Sequence, residues 1–79
     1  MSPTVLRSGP YRFFFFSNEA GEPSHVHAQR ERMLSKFWLE PVCLARSTGF
    51  SPVELRRIQT VVTENVSVLL EAWNEYFTD

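Results

Sequence analysis

The sequence predicts an α+β fold: a small antiparallel sheet of four to five strands, with one long C-terminal helix packed on one face. Two observations predict it. Residues 3–45 contain short apolar or alternating segments, separated by turn residues at hairpin spacing. Residues 52–77 then carry one stripe of apolar side chains at helical spacing. Because the chain has 79 residues, we expect a single domain over residues 1–79.

The first two strands are predicted on either side of a strong turn signal, Ser8-Gly9-Pro10. Residues 3–7 are apolar and β-branched, and residues 11–16 contain five aromatic side chains and one arginine. Because side chains alternate along a strand, both faces of the second strand are partly apolar. We therefore expect the aromatic run to be the middle strand of the sheet.

A polar turn at residues 17–23 precedes the third predicted strand, residues 24–30. Alternation sends Val26 and Ala28 to one face and both histidines, His25 and His27, to the other. The two apolar residues should take the core face. We therefore expect the histidines to share the opposite face, with at least one ring partly accessible to solvent.

The remaining sheet residues are less regular. A charged connection at residues 29–33 leads to a strand at residues 36–39, and residues 42–45 form either a short edge strand or an irregular segment. The best core candidates are Phe13, Phe15, Phe37, Leu39, Val62, Leu69 and Trp73.

Helix signals are clearest around residue 51. Ser51 is a natural N-cap, Pro52 suits the first helical position, and Glu54 completes a capping box. One amphipathic helix over residues 52–77 is the simplest interpretation. Asn65 and Ser67 are its weakest helix formers, so a break at these residues is the alternative.

Several segments, taken in order, carry a resemblance to a known family. They are Thr4-Val5-Leu6-Arg7, Tyr11-Arg12-Phe13-Phe14-Phe15, Ser17-Asn18-Glu19, Glu22-Pro23, His25-Val26-His27, Lys36-Phe37-Trp38-Leu39 with Pro41-Val42, Gly49-Phe50-Ser51 and Glu54-Leu55. The chain resembles the bacterial domain-of-unknown-function family 4160 (DUF4160) over nearly its whole length. It departs from the family pattern at Ser24, where a proline is usual, and at residues 30–33, where the family has a glycine-rich turn.

The resemblance implies a small bacterial interaction or regulatory protein. Members of the family are often encoded beside another small protein, an arrangement similar to toxin-antitoxin pairs. It therefore implies one component of a toxin-antitoxin-like two-gene module, whose partner is the small protein encoded by the neighbouring gene.

The histidine pair is the only segment that suggests chemistry, and it has three interpretations. His25 and His27 could ligate a divalent metal, with Glu22 adding an oxygen ligand. They could instead be the catalytic acid and base of a small nuclease-like toxin. They could also be polar residues that hydrogen-bond within the sheet or contact a partner, so the sequence leaves open whether the protein is an enzyme.

Four charged residues are the candidate binding residues: Glu22, Arg12, Arg30 and Lys36. Arg30 or Lys36 would steady a phosphate in the nuclease interpretation. Arg12 would join a basic patch, although nearby glutamates favour a mixed, solvated surface.

Composition limits the partners. The net charge of -1 does not favour nucleic acid, and no cofactor other than a divalent metal is indicated. Cys43 is the single cysteine, no signal sequence is present, and no apolar run is long enough to cross a bilayer. We therefore expect a cytoplasmic protein that has no membrane contact.

We also expect a homodimer. One helix covers one face of the sheet, whereas Phe14 and Phe16 point away from Phe13 and Phe15. A second aromatic surface would then need a partner, and twofold pairing would bury it.

Overall fold

The computed structural model describes residues 4–77, which form five β-strands followed by two α-helices. The elements are β1 (Thr4–Ser8), β2 (Tyr11–Phe14), β3 (His25–Arg30), β4 (Met33–Leu39), β5 (Val42–Thr48), α1 (Pro52–Glu64) and α2 (Val66–Tyr76). The predicted α+β class, with one antiparallel sheet, is therefore confirmed. Pro3, the expected start of the first strand, lies outside the described residues.

Each strand pairs with the next one along the chain, so the spatial order is β1-β2-β3-β4-β5. β3, which carries both histidines, is the central strand. The prediction that the aromatic run forms the middle strand is wrong, because the second of five strands in a meander lies one place from the edge. The register places His27 between Phe14 on β2 and Lys36 on β4.

The aromatic run leaves the sheet before its end. β2 stops at Phe14, and the Phe15 ring turns into the core, where it lies 5.2 Å from the Trp73 ring. Phe16 stays on the other side of the sheet, against Phe14 and His27. Residues 15–24, called here the β2–β3 loop, then fold back over the sheet.

The later strands are longer than predicted. A two-residue turn at Glu31 and Arg32 joins β3 to β4, so the charged connection expected at residues 29–33 is mostly strand. Glu31 takes a positive φ of 57°, which lets the hairpin close in so few residues. β5 is an edge strand of seven residues whose register with β4 shifts between Lys36 and Phe37. The strand interpretation of residues 42–45 is therefore correct, but the strand extends further than predicted.

The prediction of a single long helix is also wrong, because the helical region is divided in two at Asn65. The Asn65 side chain donates to the Val61 carbonyl at 2.8 Å, and its backbone N–H reaches the Val61 and Val62 carbonyls. An asparagine side chain that competes for backbone hydrogen bonds favours such an interruption. The helix begins as predicted, at Pro52 after the Ser51 N-cap.

The two helices pack on one side of the sheet, called here the core face. All seven predicted core residues are buried there. The buried apolar cluster contains Tyr11, Phe13, Phe15, Val26, Ala28, Phe37, Leu39, Phe50, Ile58, Val62, Leu69 and Trp73. Val26 and Ala28 therefore occupy the core face, as their alternation with the histidines predicts.

The opposite side, called here the outer face, carries Phe14 and the histidines. Phe14 is only 2 % exposed, because Arg12, His27 and the loop residue Phe16 pack against its ring, while Phe16 is 36 % exposed. The uncovered aromatic surface that motivated a homodimer is therefore much smaller than expected. Self-association stays a prediction without that support.

Within residues 4–77, neither helix combines the length and the apolar character that crossing a membrane requires.

Candidate metal centre

The β2–β3 loop brings an acidic side chain onto the histidines. The loop turns tightly, with the Glu22 N–H donating to the Glu19 carbonyl at 3.1 Å. The Glu19 carboxylate accepts the Phe16 backbone N–H at 3.1 Å, which folds this side chain inward. Glu19 is therefore buried, although it lies on a loop.

The histidines reach the same place from the central strand. His25 and His27 share the outer face, as predicted, since they alternate with Val26. The His27 ring stacks on Phe14 at 5.4 Å, and the His25 ring lies 4.8 Å from Trp73.

The prediction that at least one histidine ring is accessible to solvent is wrong, because His25 is 0 % exposed and His27 is 1 % exposed. Aromatic rings enclose the pair from several sides, with Trp38 at 5.6 Å from His25 and Phe16 at 4.6 Å from His27. Because Phe16 belongs to the loop and Trp73 to α2, the pattern of β3 alone could not have indicated this burial.

The three side chains meet at the Glu19 carboxylate. His27 Nε2 lies 3.0 Å from Oε1 and 2.9 Å from Oε2, and His25 Nε2 lies 2.9 Å from Oε1. One donor atom from each of the three residues lies within 4.8 Å of the others. The carboxylate and both imidazoles therefore point at one small, buried volume.

The tautomer of His25 determines whether a proton or a cation must lie between this ring and the Glu19 carboxylate. His25 Nδ1 lies 2.9 Å from the Pro23 carbonyl oxygen, which can only accept, so Nδ1 carries the hydrogen. In the neutral ring, Nε2 then presents a lone pair. This buried atom makes no hydrogen bond within the described chain, although the Glu19 oxygen is only 2.9 Å away. A lone pair facing a carboxylate is repulsive unless a proton or a cation lies between them.

Protonation of the other two groups follows from their surroundings. Burial raises the pKa of Glu19, but its hydrogen bonds with His27 and the Phe16 N–H, together with its contact with the His25 ring, outweigh it and bring the pKa below its ordinary value. Burial lowers the pKa of His27, and the nearby Glu19 carboxylate opposes this only in part. Near neutral pH the cluster therefore holds an ionised carboxylate and a neutral His27. His27 Nε2 ligates a metal only when its hydrogen moves to Nδ1, a buried atom with no hydrogen-bond partner among the described residues.

The residue predicted to supply the oxygen ligand, Glu22, points elsewhere. Its Oε1 atom lies 2.5 Å from Lys36 Nζ, which is buried beside the Trp38 ring. The hydrogen bond from Lys36 lowers the pKa of Glu22. Glu22 and Lys36 thus form an ion pair next to the cluster.

The two predicted binding arginines lie apart from the histidines. Arg30 makes a bidentate contact with the Glu54 carboxylate, at 2.8 Å from both Nε and an Nη, and Tyr11 donates to the same carboxylate at 3.0 Å. Arg12 binds Thr4 and Gln29. The four predicted binding residues therefore do not converge on one anion.

Glu19 is the functional candidate that the sequence reasoning missed. The available signal was that the loop before the histidines contains two glutamates, Glu19 and Glu22. Glu22 was predicted because it is nearer to the histidines in sequence. The tight turn at Glu19 instead places the Glu19 carboxylate against the two rings.

Comparison with models of known protein families matches residues 11–74 to a domain of unknown function, DUF4160. No curated protein and no solved structure matches the chain.

Proposed function

The chain belongs to the DUF4160 family, and from the geometry of its site we propose that it is a small metal-binding protein in which Glu19, His25 and His27 hold a divalent transition metal. The observation that carries the proposal is the buried His25 Nε2 atom, which faces the Glu19 carboxylate at 2.9 Å without a hydrogen bond. A cation between the two groups would turn this repulsion into two favourable contacts.

The surroundings of His25 support the same assignment. Metal-ligating histidines usually donate their other ring N–H to a carbonyl or carboxylate, which fixes the ring and its tautomer. His25 donates Nδ1–H to Pro23 in this way. Nitrogen and oxygen ligands lie about 2.0–2.2 Å from a zinc ion, so two ligand atoms of one ion lie roughly 3 Å apart. The distances between the histidine Nε2 atoms and the Glu19 oxygens are close to this value.

Zinc is the ion that this donor set suits best. Two imidazole nitrogens and one carboxylate oxygen form a common zinc combination, and three protein donors leave one tetrahedral position for water or another ligand. Because the site is buried and Glu19 lies on the β2–β3 loop, the ion would fasten this loop to the central strand.

Metal analysis and a thermal shift test the proposal. We expect purified protein to contain about one zinc per chain, and metal-free protein to gain roughly 2.7 kcal/mol when free zinc exceeds the dissociation constant about a hundredfold. For a domain of this size, that gain raises Tm by roughly 10–20 °C.

Two glutamates of the same loop provide a matched pair of variants. Glu19→Gln should abolish the zinc-dependent rise in Tm, whereas Glu22→Gln should retain it, because Glu22 binds Lys36. Equal effects of the two substitutions, or no response of the unsubstituted protein to zinc, cobalt and nickel, would contradict the proposal.

The nuclease interpretation has less support. A general base must come within hydrogen-bond reach of the proton it removes, and both histidine rings are enclosed by aromatic side chains. Arg30 and Lys36, the proposed phosphate ligands, contact glutamates instead.

We also propose a protein-interaction role, for which the outermost strand provides the specific feature. β5 is seven residues long, one of its edges carries no neighbouring strand in the described chain, and Cys43 and Leu44 are exposed. Such an edge accepts an added strand. The expected partner is the small protein of a neighbouring gene, as in a toxin-antitoxin-like module.

A co-expression pull-down with that neighbour tests the interaction role. Leu44→Asp should reduce recovery of the partner, while Val68→Asp, at a more exposed apolar position on α2, should not. Unchanged recovery with Leu44→Asp would exclude β5 as the binding edge.

A further inference from the structure

We propose that the outer face of the sheet binds single-stranded nucleic acid. The inference is independent of the metal, because it rests on four basic side chains and two accessible aromatic rings that share this face. Phe16 and Trp38 also border the histidine rings, but neither these rings nor the basic side chains supply a donor atom to the Glu19, His25 and His27 cluster.

Charge is divided between the two halves of the molecule. Six basic and four acidic side chains precede Ser51, whereas two basic and five acidic side chains follow it. The overall charge of -1 therefore conceals a positive sheet and negative helices. A polyanion would meet the sheet side with favourable electrostatics and the helical side with repulsion.

The strand register places the basic side chains on the outer face. Arg7 pairs with Arg12, and Lys36 pairs with Arg46, and cross-strand partners point to the same side of a sheet. Arg12 alternates with the buried core residue Phe13, so this row faces away from the helices.

The acidic side chains of the covering loop are already engaged. Glu19 contacts the histidines, and Glu22 forms an ion pair with Lys36. Arg7 and Arg46 are both exposed, and neither has an ion pair with another side chain of residues 4–77. These two side chains are available for phosphate contacts on either side of the face.

Aromatic rings lie between the cations. Phe16 is exposed and Trp38 is partly exposed, and both belong to the outer face. The Arg12 guanidinium lies 4.4 Å above the Phe14 ring, which in turn contacts Phe16, and Lys36 Nζ lies 4.6 Å from the Trp38 ring.

This alternation matches a single strand better than a duplex or an acidic peptide. Bases of a single strand are free to stack on exposed rings while their phosphates contact neighbouring cations. A duplex hides its base faces, and an acidic peptide offers nothing to stack. The geometry therefore assigns the two aromatic rings to bases and the exposed arginines to phosphates.

Fluorescence anisotropy with a labelled single-stranded RNA oligonucleotide tests the inference on the full chain. We expect a dissociation constant in the range of about 1–100 µM at low salt. With two phosphate contacts, from Arg7 and Arg46, affinity should fall roughly sevenfold between about 50 and about 200 mM salt, following the single-strand salt dependence. Duplex RNA should bind more weakly.

Two substitutions separate charge from stacking, and a third serves as control. Arg46→Ala should weaken binding and flatten the salt dependence, whereas Phe16→Ala should weaken binding about fivefold or more with the salt dependence unchanged. Arg57→Ala, an exposed arginine on α1, should leave binding unchanged. Circular dichroism confirms that each variant is folded.

Three outcomes would overturn the inference. The first is the absence of an anisotropy change at about 100 µM protein in low salt. The second is an equal loss of binding with Arg57→Ala and Arg46→Ala. The third is an affinity for duplex RNA or an acidic peptide equal to that for single-stranded RNA.

Discussion

At the scale of single residues, burial rather than chemical type decides what a side chain does in this protein. The sequence predicts that at least one of His25 and His27 is partly accessible, yet aromatic rings on three separate elements enclose them. Glu19 is buried with them, while Glu22, three residues later, stays exposed. The β2–β3 loop therefore selects one carboxylate for the interior and leaves the other to Lys36.

The neighbouring pair Leu69 and Val68 tests burial on the helix. Leu69 is fully buried in the core, whereas Val68 is 55 % exposed. Leu69→Ala should lower the free energy of unfolding by about 2–5 kcal/mol, because it removes buried methyl groups and leaves a cavity. Val68→Ala should change it by less than about 0.5 kcal/mol. Urea unfolding measures both, and similar losses would show that α2 packs through a different face.

At the scale of elements, the start of α1 is fixed by two contacts. Ser51 Oγ accepts the Glu54 backbone N–H at 3.2 Å, which is half of the predicted capping box. The other half is replaced, because the Glu54 carboxylate binds Arg30 and Tyr11. One glutamate thereby ties the first turn of α1 to β2 and β3.

The N-cap has a simple test. Ser51→Ala should lower the free energy of unfolding by about 0.5–2 kcal/mol, since it leaves the Glu54 N–H without its acceptor. Ser51→Asp should retain most of the stability, because aspartate also caps helices. Urea unfolding of the two variants gives the comparison, and equal losses would indicate that cap hydrogen bonding contributes little here.

The Arg30 contact predicts acid sensitivity. The hydrogen bond from Arg30, helped by that from Tyr11, lowers the pKa of Glu54 below its ordinary 4.5, against the opposing effect of burial. A carboxyl group whose pKa is lower in the folded state contributes stability above its unfolded pKa and loses it as pH falls through the folded value. We therefore expect the free energy of unfolding to decrease below about pH 5.

Urea unfolding at neutral pH and near pH 3 checks this. Glu54→Gln should reduce the loss on acidification, and Glu71→Gln, at an exposed site on α2, should not. The loss should not vanish, since the pKa values of Glu19 and Glu22 are lowered as well. An identical acid response in Glu54→Gln and the unsubstituted protein would contradict the assignment.

How far the sequence predicted these features depends on the range of the interactions. Alternation correctly assigned Val26 to the core face and His27 to the other, because period two is a property of the strand itself. The centre of the sheet was predicted wrongly, because aromatic content does not determine strand order. The weak helix former Asn65 indicated where a break could fall, although one long helix was the prediction. The choice of Glu19 depends on local backbone geometry, which composition and spacing do not encode.

At the scale of the whole molecule, the sheet has one face closed by helices and one face closed only in part by a loop. The predicted dimer relied on the second face being open. Because the β2–β3 loop covers Phe14 but leaves Phe16 exposed, the two phenylalanines should respond differently to a buried charge.

Phe14→Asp is therefore expected to unfold the protein rather than to dissociate a dimer. A carboxylate at this buried position should cost more than about 3 kcal/mol, a large part of the stability of so small a domain. Phe16→Asp should stay folded. Circular dichroism and sedimentation equilibrium make the comparison, and a folded Phe14→Asp variant with a reduced mass would instead place a subunit interface at Phe14.

The nine residues from Glu19 to His27 contain every donor of the proposed metal site. Bringing the ends of so short a segment together costs little chain entropy, since that cost grows with loop length. The segment also leaves the ribosome before α2, which supplies Trp73 to its enclosure. The donors are therefore close to one another in sequence, whereas part of the aromatic cover comes from the far end of the described chain.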